Sequence, residues 1–478
     1  MKRVSIIFWT VVIGLCLSLP AYASGFFVAR FGGEHGHPTT DNPTAIYYNP
    51  AGLTLGKGLR LYLDGNFAWR TFTYDRPEGA LDSCLGEADE CGSVTANGRV
   101  GTPANALNAN TGKGTLNNQL ASPFIGATYQ TGNWGFGVGL YAPFGGSSVY
   151  DKVPRVGNHV GTEDGPQRWW AIEGTIRTVY MTGAVAYRIP KAKLSIGLGL
   201  NLASSEVHTS RAKTAANTDD IATTFEDQSE GAEPWDVAPN AYLNEGRAVI
   251  DVAAKELSVG VGVLWEPADK VWVGVSYQSS PGFGESQLEG TGRLIIGVKP
   301  EETPDVTFYQ HLPEVWQFGV RWQPNENTEY RIFGNYIGWS VLDNQCALNS
   351  AKGTERSNCE TSPLFIAERQ WEDAFAVRVG GSYWTSRTVE LFLGAGFDQN
   401  AVPDKTLEPA LFDTDKYTAS AGARFVLMEE VLALGTTYTQ VFYMDRDVDP
   451  ADNINEPNSA GNYSQSIGVL NVNVQYSF

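Results

Sequence analysis

The stretch Leu470-Asn471-Val472-Asn473-Val474-Gln475-Tyr476-Ser477-Phe478 decides the fold, because apolar and polar side chains alternate along it without a break. Successive side chains of a β-strand point to opposite faces, so this segment has one apolar and one polar face. A strand that separates lipid from a polar interior needs this pattern. The stretch therefore predicts a transmembrane β-strand.

The same alternation recurs upstream, for example over residues 134 to 142, where large apolar residues alternate with glycines. Fourteen segments follow the rule, and an even number is what a closed antiparallel barrel requires. We therefore expect an all-β fold, a 14-stranded antiparallel transmembrane β-barrel. The predicted strands lie near residues 59–74, 122–130, 134–143, 168–188, 194–207, 247–266, 271–280, 313–323, 329–341, 371–385, 388–398, 416–427, 431–443 and 464–478.

The lengths of the connections support the barrel independently. Connections after even-numbered strands are short, as at Thr131 to Asn133, whereas those after odd-numbered strands are long, up to 75–121 and 208–246. Short turns on the periplasmic side and long external loops are typical of outer-membrane barrels. A soluble β-sandwich or propeller is the alternative, but it does not explain this asymmetry together with apolar outward faces.

The beginning of the chain has the pattern of a secretory signal peptide. Lys2 and Arg3 precede an apolar run over 4–19, and Ala21-Tyr22-Ala23 has the small residues of a cleavage site. A membrane helix is the alternative, but the run is shorter than the roughly 20 residues that a span needs. We therefore predict a signal peptide over 1–23, an N-terminal plug over 24–58 and a barrel over 59–478.

Charge and cysteine content narrow the possible partners. The formal net charge is -19, from 34 basic and 53 acidic residues, which disfavours nucleic-acid binding. Four cysteines remain beyond the predicted signal peptide, as two pairs that are close in sequence, Cys84 with Cys91 and Cys346 with Cys359. Neither pair has the spacing or the nearby histidine of a zinc site, so two local disulfides are favoured in an oxidising compartment.

Residues 24–58 lack any alternation and contain repeated turn signals. Pro43 and Pro50 each follow an asparagine, which disfavours helical geometry before them. A periplasmic linker is one interpretation. The segment also carries many apolar residues that would be unfavourable in water, so a plug inside the barrel is preferred. These residues are Phe26, Phe27, Phe31, Ile46, Tyr47 and Tyr48.

The N-terminal segment resembles that of the FadL-like outer-membrane transporters of long-chain fatty acids and aromatic hydrocarbons. The resemblance covers essentially the whole chain beyond the predicted signal peptide. It rests on Gly25-Phe26, Asp41, Asn42-Pro43, Ala45, Tyr48-Asn49-Pro50-Ala51-Gly52-Leu53, and Leu312-Pro313-Glu314 followed by Trp316.

The resemblance implies a channel for passive uptake of hydrophobic molecules, with no cofactor and no catalysis. By resemblance, Gly25 and Phe26 form the pocket end of the plug and Asn49-Pro50-Ala51 the hatch. A kink for lateral release would lie in the third strand at Pro143, Gly145 and Gly146, although these residues also suit a simple strand end. An open hydrophilic porin and a surface-binding barrel are the alternatives.

The partners expected on this interpretation are a hydrophobic small molecule and the lipid and lipopolysaccharide of the bacterial outer membrane. We expect no nucleic-acid partner and a monomeric channel. Arg168, Trp169 and Trp170 open the fourth predicted strand, where the two rings suit an external aromatic girdle or a capture surface.

Four arginines face the lumen by strand parity: Arg321, Arg331, Arg378 and Arg424. Each is either a structural partner for acidic side chains inside the barrel or a partner for a substrate carboxylate. We hypothesise that at least one of them contacts substrate.

Two polar clusters are candidate metal sites. The run Asp445, Asp447, Asp449 and Asp452 has a spacing that calcium loops also use, although Pro450 stands where such loops prefer glycine. His35, His37 and Asp41 offer two imidazoles and one carboxylate, the ligands of zinc or copper. None of the five histidines lies beside a serine nucleophile motif, which disfavours an enzyme.

Overall fold

The computed structural model describes residues 28–81, 108–157, 159–214, 218–219, 221, 245–295, 300–428 and 431–478. Its strands are β1 (Gly58–Arg76), β2 (Gly112–Thr131), β3 (Trp134–Val149), β4 (Glu173–Ile189), β5 (Leu194–Lys213), β6 (Gly246–Ala268), β7 (Val271–Gln278), β8 (Ser286–Ile295), β9 (Asp305–Gln310), β10 (Val315–Asn325), β11 (Thr328–Ile337), β12 (Asn344–Asn349), β13 (Phe365–Glu368), β14 (Ala374–Ser386), β15 (Val389–Asp398), β16 (Lys416–Leu427), β17 (Leu432–Tyr443), β18 (Arg446–Val448) and β19 (Gly461–Ser477).

Helical structure is short throughout these ranges. The α-helix α1 covers Ala45–Tyr48, and no helix in the described ranges is long and apolar enough to cross a membrane. Single 3-10 turns lie at Gly33–His35, Pro50–Thr54, Glu78–Ala80, Val160–Asp164, Pro166–Trp169, Pro190–Ala192, Pro281–Phe283, Trp339–Val341, Ser350–Lys352, Arg356–Glu360, Asp404–Thr406 and Pro450–Asp452.

Fourteen of the strands close a single antiparallel barrel. Their order around the wall is β1 to β7, β10, β11, β14 to β17 and β19, and β19 pairs with β1 to complete the ring. In the closing ladder Phe67 lies opposite Leu470 and Leu61 opposite Tyr476. The predicted barrel and its strand count are confirmed.

Four predicted strand boundaries are wrong by more than four residues. Two are strand ends, because β3 continues to Val149 rather than 143 and β5 to Lys213 rather than 207. The other two are the starts of β2 and β4. β2 begins at Gly112, ten residues before the expected 122, because the first part of the strand pairs with β1 but has a polar outward face. β4 begins at Glu173 rather than at 168, because Pro166–Trp169 forms a 3-10 turn. Alternation detects only the part of a strand that faces lipid.

Five further strands, which alternation did not predict, lie outside the membrane-spanning ring. β8 pairs with the upper part of β6, β9 pairs with β8 and β12, and β13 pairs with β12, so the sheet continues beyond the barrel. β18 pairs with β19. An apolar layer lies on one face of the extension: Val207, Ile250, Val252, Leu288, Val306, Phe308 and Ala347.

Side-chain exposure on β3 shows the two faces of the wall. Trp134, Phe136, Val138 and Leu140 are 43–60% exposed, whereas the glycines between them are buried. The outward band is therefore apolar and suited to lipid. Trp134 also contacts Tyr187 with ring centroids 4.7 Å apart, near the short turns at one end of the barrel.

Residues 28–57 pack on the inward faces of several barrel strands. A Cβ atom at Gly135 of β3 would lie 2.6 Å from the carbonyl of Leu53, and one at Gly262 of β6 would lie 1.9 Å from Oδ1 of Asn49. No side chain fits at either position without displacing the segment. Glycines on the barrel wall therefore provide the room that this segment occupies.

Candidate functional site

Asn49 fixes the centre of the N-terminal segment. Its Oδ1 accepts the backbone N–H of Ala51 at 3.1 Å and so caps the 3-10 turn that begins at Pro50. Its Nδ2 donates to the carbonyl of Pro38 at 2.9 Å and to that of Val263 in β6 at 3.0 Å. One buried amide therefore joins two parts of the segment to the barrel wall, which accounts physically for an asparagine before Pro50.

An aromatic cluster fills the space between the N-terminal segment and β2 and β3. The ring of Phe31 lies 5.3 Å from that of Phe124 and 5.4 Å from those of Tyr47 and Tyr141. Phe124 and Tyr141 stack on each other at 5.3 Å. All of these side chains are buried, so the segment is held here by apolar packing.

The β2–β3 ladder ends at this cluster. Pairing runs from Thr131 opposite Trp134 to Phe124 opposite Tyr141 and goes no further, although both strands continue. The β3–β4 register shifts between Tyr141 and Phe144, at the predicted irregularity. Each strand carries a proline close to the last pair: Pro123 directly precedes Phe124 on β2, and Pro143 lies two residues beyond Tyr141 on β3. Proline has no N–H to donate to a ladder.

Side chains and loops span the unpaired region instead of a ladder. Asn118 Nδ2 of β2 donates to the carbonyl of Ser147 in β3 at 3.0 Å. Farther along, the N–H of Asp151 donates to the carbonyl of Thr115 at 2.8 Å. At the other end the N–H of Val28 donates to the carbonyl of Pro143 at 2.8 Å. The gap in the ladder therefore has a side-chain contact within it and a backbone contact at each end.

Ion pairs hold the opposite flank of the segment. Asp398 accepts from Arg30 of the segment at 3.2 Å and from Arg378 of β14 at 2.6 Å. His35 Nε2 lies 2.9 Å from Glu390 of β15. This flank is polar and charged, whereas the flank that faces β2 and β3 is aromatic.

All four arginines predicted to face the lumen have acidic partners. Arg378 pairs with Asp398 as described, and Arg424 lies 3.8 Å from Glu390. Arg331 pairs with Glu329 at 3.1 Å, and Arg321 lies 3.4 Å from Asp41 and 3.8 Å from Glu329. These contacts support the structural interpretation, and substrate contact by any of the four stays a hypothesis.

A polar cavity of about 40 Å³ lies beside the charged flank. It has room for roughly three water molecules. Its lining includes Arg30, Glu34, Asn66, Asn335 and Asn471.

A second cavity, of about 70 Å³, has a mostly apolar lining. It lies at the ends of β4 and β5 that are remote from the short turns, and its other walls are β9, β12, β13 and the loop after β15. It also reaches Gly146 and Ser148, the part of β3 that has no ladder partner on β2. Its apolar lining includes Trp170, Ile176, Val207, Phe308, Phe365 and Leu411. Sequence reasoning missed this site because its walls come from distant segments.

Trp169 and Trp170 are buried, so neither ring forms the external girdle or the exposed capture surface expected from the sequence. Arg168 beside them pairs with Glu245 at 3.0 Å, and both side chains are almost completely buried. Burial alone would raise the pKa of the Glu245 carboxyl, but Arg168 and Arg247 hold that pKa below its ordinary value. These residues form an ion-paired layer among the long loops.

The remaining predicted site residues have mixed outcomes. The Cys346–Cys359 disulfide is present, which confirms that pair. Cys84, Cys91, Gly25 and Phe26 lie outside the described residues.

The two candidate metal sites are not assembled. No group of three or more histidine, cysteine, aspartate or glutamate side chains in the described ranges could hold a metal ion. The aspartates of the 445–452 run do not converge, and Asp449 instead accepts the N–H of Ala451 at 2.8 Å. His35 contacts Glu390, and His37 bonds to Thr39 at 2.9 Å. The calcium and zinc candidates therefore have no structural support.

A closed barrel with an apolar outer band and an internal N-terminal segment defines a β-barrel channel of the bacterial outer membrane. The family model described as outer membrane protein transport protein (OMPP1/FadL/TodX) matches residues 20–478, and the chain belongs to that family. Members are transport channels for hydrophobic compounds and not enzymes. The resemblance noted in the sequence is thereby confirmed.

Solved structures show the same fold at low sequence identity. A Pseudomonas aeruginosa FadL homologue is 16% identical with a TM-score of 0.69, covering 96% of this chain and all of that one. The Ralstonia pickettii toluene transporter TbuX is 14% identical with a TM-score of 0.58, covering 96% and 97%. The Pseudomonas putida toluene transporter TodX is 15% identical with a TM-score of 0.57, covering 96% and 98%. A comparison with curated proteins finds no match.

Proposed function

We propose that the protein takes up long-chain fatty acids or related hydrocarbons passively, with the N-terminal segment as a hatch and lateral release between β2 and β3. One observation carries the proposal. The apolar cavity among the loops reaches Gly146 and Ser148, which lie where β3 has no ladder partner on β2. A hydrophobic molecule in that cavity is thus next to the part of the wall where β2 and β3 share no ladder bonds.

The composition of the gap supports lateral release. Pairing the strands across it would require backbone donors, and Pro123 and Pro143 provide none. The contacts that span it include the Asn118–Ser147 bond, which depends on one flexible side chain. Such a contact breaks at much lower cost than a run of ladder bonds.

The position of the N-terminal segment supports the hatch. Asn49, Pro50 and Ala51 anchor its centre, and Phe31 blocks the lower side of the gap with Phe124 and Tyr141. Val28 bonds to Pro143 at the gap itself. We place Gly25 and Phe26, which precede Val28, at the pocket end of the hatch on the family resemblance.

The hydrophobic cargo is inferred from the cavity lining together with the family. Related structures include toluene transporters, and the aromatic and aliphatic lining of this cavity suits similar chemistry. The alternatives are a hydrophilic diffusion porin and a surface-binding barrel. Neither explains an apolar cavity that leads to a gap in the wall.

A reversible staple across the gap tests lateral release. In the double variant Asn118→Cys/Ser147→Cys, oxidation should join β2 to β3 and abolish uptake of radiolabelled palmitate and toluene by cells, and reduction should restore it. The matched control is Tyr129→Cys/Phe136→Cys, a pair within the intact ladder, where the staple should change nothing. The single cysteine variants control for reduction of the native disulfide.

Equal uptake by the oxidised and reduced gap variant would rule out this exit. Liposome swelling in arabinose addresses the alternative function. Rapid swelling with the unmodified protein would favour the hydrophilic porin.

A further inference from the structure

Arg211 differs from the other cationic side chains that line the apolar cavity. His208 pairs with Asp251 at 2.6 Å, and Arg369 pairs with Glu408 at 2.7 Å. Arg211 forms no ion pair with any residue that the structure describes. Its guanidinium carbon instead lies 3.5 Å from the centre of the Phe365 ring.

The contact with Phe365 leaves the hydrogen-bonding edge of Arg211 available. At 3.5 Å above the ring centre the guanidinium lies over the face of the ring, which offers a cation–π attraction. Its N–H groups lie in the guanidinium plane and match the geometry of a carboxylate. The ring therefore positions the cation without using its donors.

The surroundings of Arg211 favour an anion. An unpaired charge against apolar walls is costly, and an anionic partner with hydrogen bonds reduces that cost. Glu408 is the acidic group on the cavity lining, and Arg369 already holds it. Ile176, Val207 and Phe308 offer the neighbouring apolar surface.

We propose that Arg211 binds the head of an amphiphilic monocarboxylate whose apolar part lies along the cavity. The proposal rests on the proposed uptake function and specifies its substrate class: a molecule with one anionic head, in preference to a neutral hydrocarbon. Arg211 is better suited to this role than the four lumen arginines, because each of those already faces an acid.

The Cys346–Cys359 disulfide helps to position Phe365 in this site. Phe365 lies in β13 and pairs with Ala347 of β12, next to the pair of Cys346 with Ile366. The disulfide closes the loop between these two strands. Phe365 and the disulfide thus act as positioning elements, which hold the ring under Arg211 across the cavity.

Calorimetric titration of the full-length protein in amphipol with octanoate and with octan-1-ol tests the proposal. These two ligands have the same tail and differ in charge. Arg211→Ala should weaken octanoate binding by at least about tenfold, the typical effect of losing a charge-assisted hydrogen-bonded pair. Octan-1-ol binding should not change. Arg211→Lys should retain only part of the octanoate affinity. It keeps the positive charge but loses the planar pair of N–H donors that matches a carboxylate.

Arg293→Ala is the matched control. Arg293 lies in β8 among the same loops and pairs with Glu301 outside the cavity, and its side chain is 56% exposed. Neither ligand should bind this variant differently.

The positioning role has its own readout. Phe365→Ala and the double variant Cys346→Ser/Cys359→Ser should each weaken the binding of octanoate and leave the binding of octan-1-ol unchanged. Neither change should weaken octanoate binding further when Arg211 is already alanine, because the ring and the disulfide affect binding only through the guanidinium. Additive losses would show that Phe365 and the disulfide are merely structural.

The outcomes separate the two proposals. Unchanged octanoate affinity in Arg211→Ala would overturn the role of Arg211 while leaving hydrophobic uptake intact. Equal losses for octanoate and octan-1-ol would also overturn it, since they indicate a collapsed cavity. If the unmodified protein binds neither ligand, the cavity is not a substrate site and the proposed uptake route fails with it.

Discussion

Val28 donates its backbone N–H to the carbonyl oxygen of Pro143 at 2.8 Å, which joins the N-terminal segment to β3 where the β2–β3 ladder ends. Three features therefore meet at one point: the N-terminal segment, the proline of β3 and the gap. A movement of the segment near Val28 would release a contact at the edge of the gap. Gating and lateral release are thus mechanically linked in the proposed function.

Restoring backbone donors at the gap should impair uptake. Pro123→Val/Pro143→Val supplies an N–H on each strand, so the ladder can extend past Phe124 and Tyr141. We expect uptake of radiolabelled palmitate to fall several-fold while the barrel becomes more resistant to heat, as followed by gel mobility. Pro324→Val, near the short turn after β10, is the control and should leave uptake unchanged. Full uptake by the double variant would contradict an exit at this gap.

Asn49 should be essential to the docking of the segment. Asn49→Ala removes three hydrogen bonds at a site that is 1% exposed, at a cost of about 1–3 kcal/mol. Asn49→Asp keeps the cap on Ala51 but places a carboxylate against the carbonyls of Pro38 and Val263, so its effect should be at least as large.

Hydrogen exchange of residues 28–57 measures this loosening, since amides of an undocked segment exchange faster. Asn117→Ala, a change of a polar side chain of β2 near the gap, is the control. Protection equal to that of the unmodified protein in both Asn49 variants would show that the aromatic cluster alone holds the segment.

Acid should loosen the layer formed by Arg168 and Glu245. The pKa of Glu245 is lowered in the folded protein, so its pairing contributes stability above the ordinary glutamate pKa of about 4.3 and loses it as the pH falls through the lowered value. Hydrogen exchange of residues 166–170 should therefore accelerate as the pH is lowered below about 4, after correction for intrinsic rates.

Glu245→Gln should show fast exchange already at pH 7 and lose most of this dependence. Glu301→Gln is the control: its carboxylate also pairs with an arginine, but at an exposed position where the pair contributes little. If the pH dependence of exchange persisted in Glu245→Gln, it would have to arise from the titration of another group.

The barrel was predictable from sequence because lipid imposes a local rule on every strand. Leu470 to Phe478 shows that rule, and counting back from it gives the ring and its orientation. The rule ends where the lipid ends, so it missed the polar start of β2 at Gly112 and the short strands β8, β9, β12, β13 and β18. The second proline at the gap, Pro123, also stayed unnoticed, because its position beside the gap depends on strand register.

The site was less predictable because it depends on contacts between distant segments. The alternation in the sequence predicts that Arg378 points inward. It does not predict that Asp398 forms an ion pair with it. Arg211 had no distinguishing feature in the sequence, since its importance lies in the contact with Phe365 from a strand more than a hundred residues away. Trp170 was correctly placed near the fourth strand and wrongly placed on the surface, because its burial depends on the loops that cover it.

The shared carboxylate of Asp398 offers a test of how the charged flank is held. Asp398 is almost completely buried and pairs with both Arg30 and Arg378, so Asp398→Asn leaves two guanidinium groups facing each other. Removing the acid should therefore loosen residues 28–36 more than Arg30→Ala does, because Arg30→Ala keeps the Arg378 pair intact. In the double variant Arg30→Ala/Asp398→Asn one of the two repelling charges is gone, so its effect should be smaller than the sum of the single effects. Hydrogen exchange over 28–36 measures all three variants. Strict additivity would mean that Arg30 and Arg378 do not share Asp398 in solution, and the segment would then depend on the aromatic flank alone.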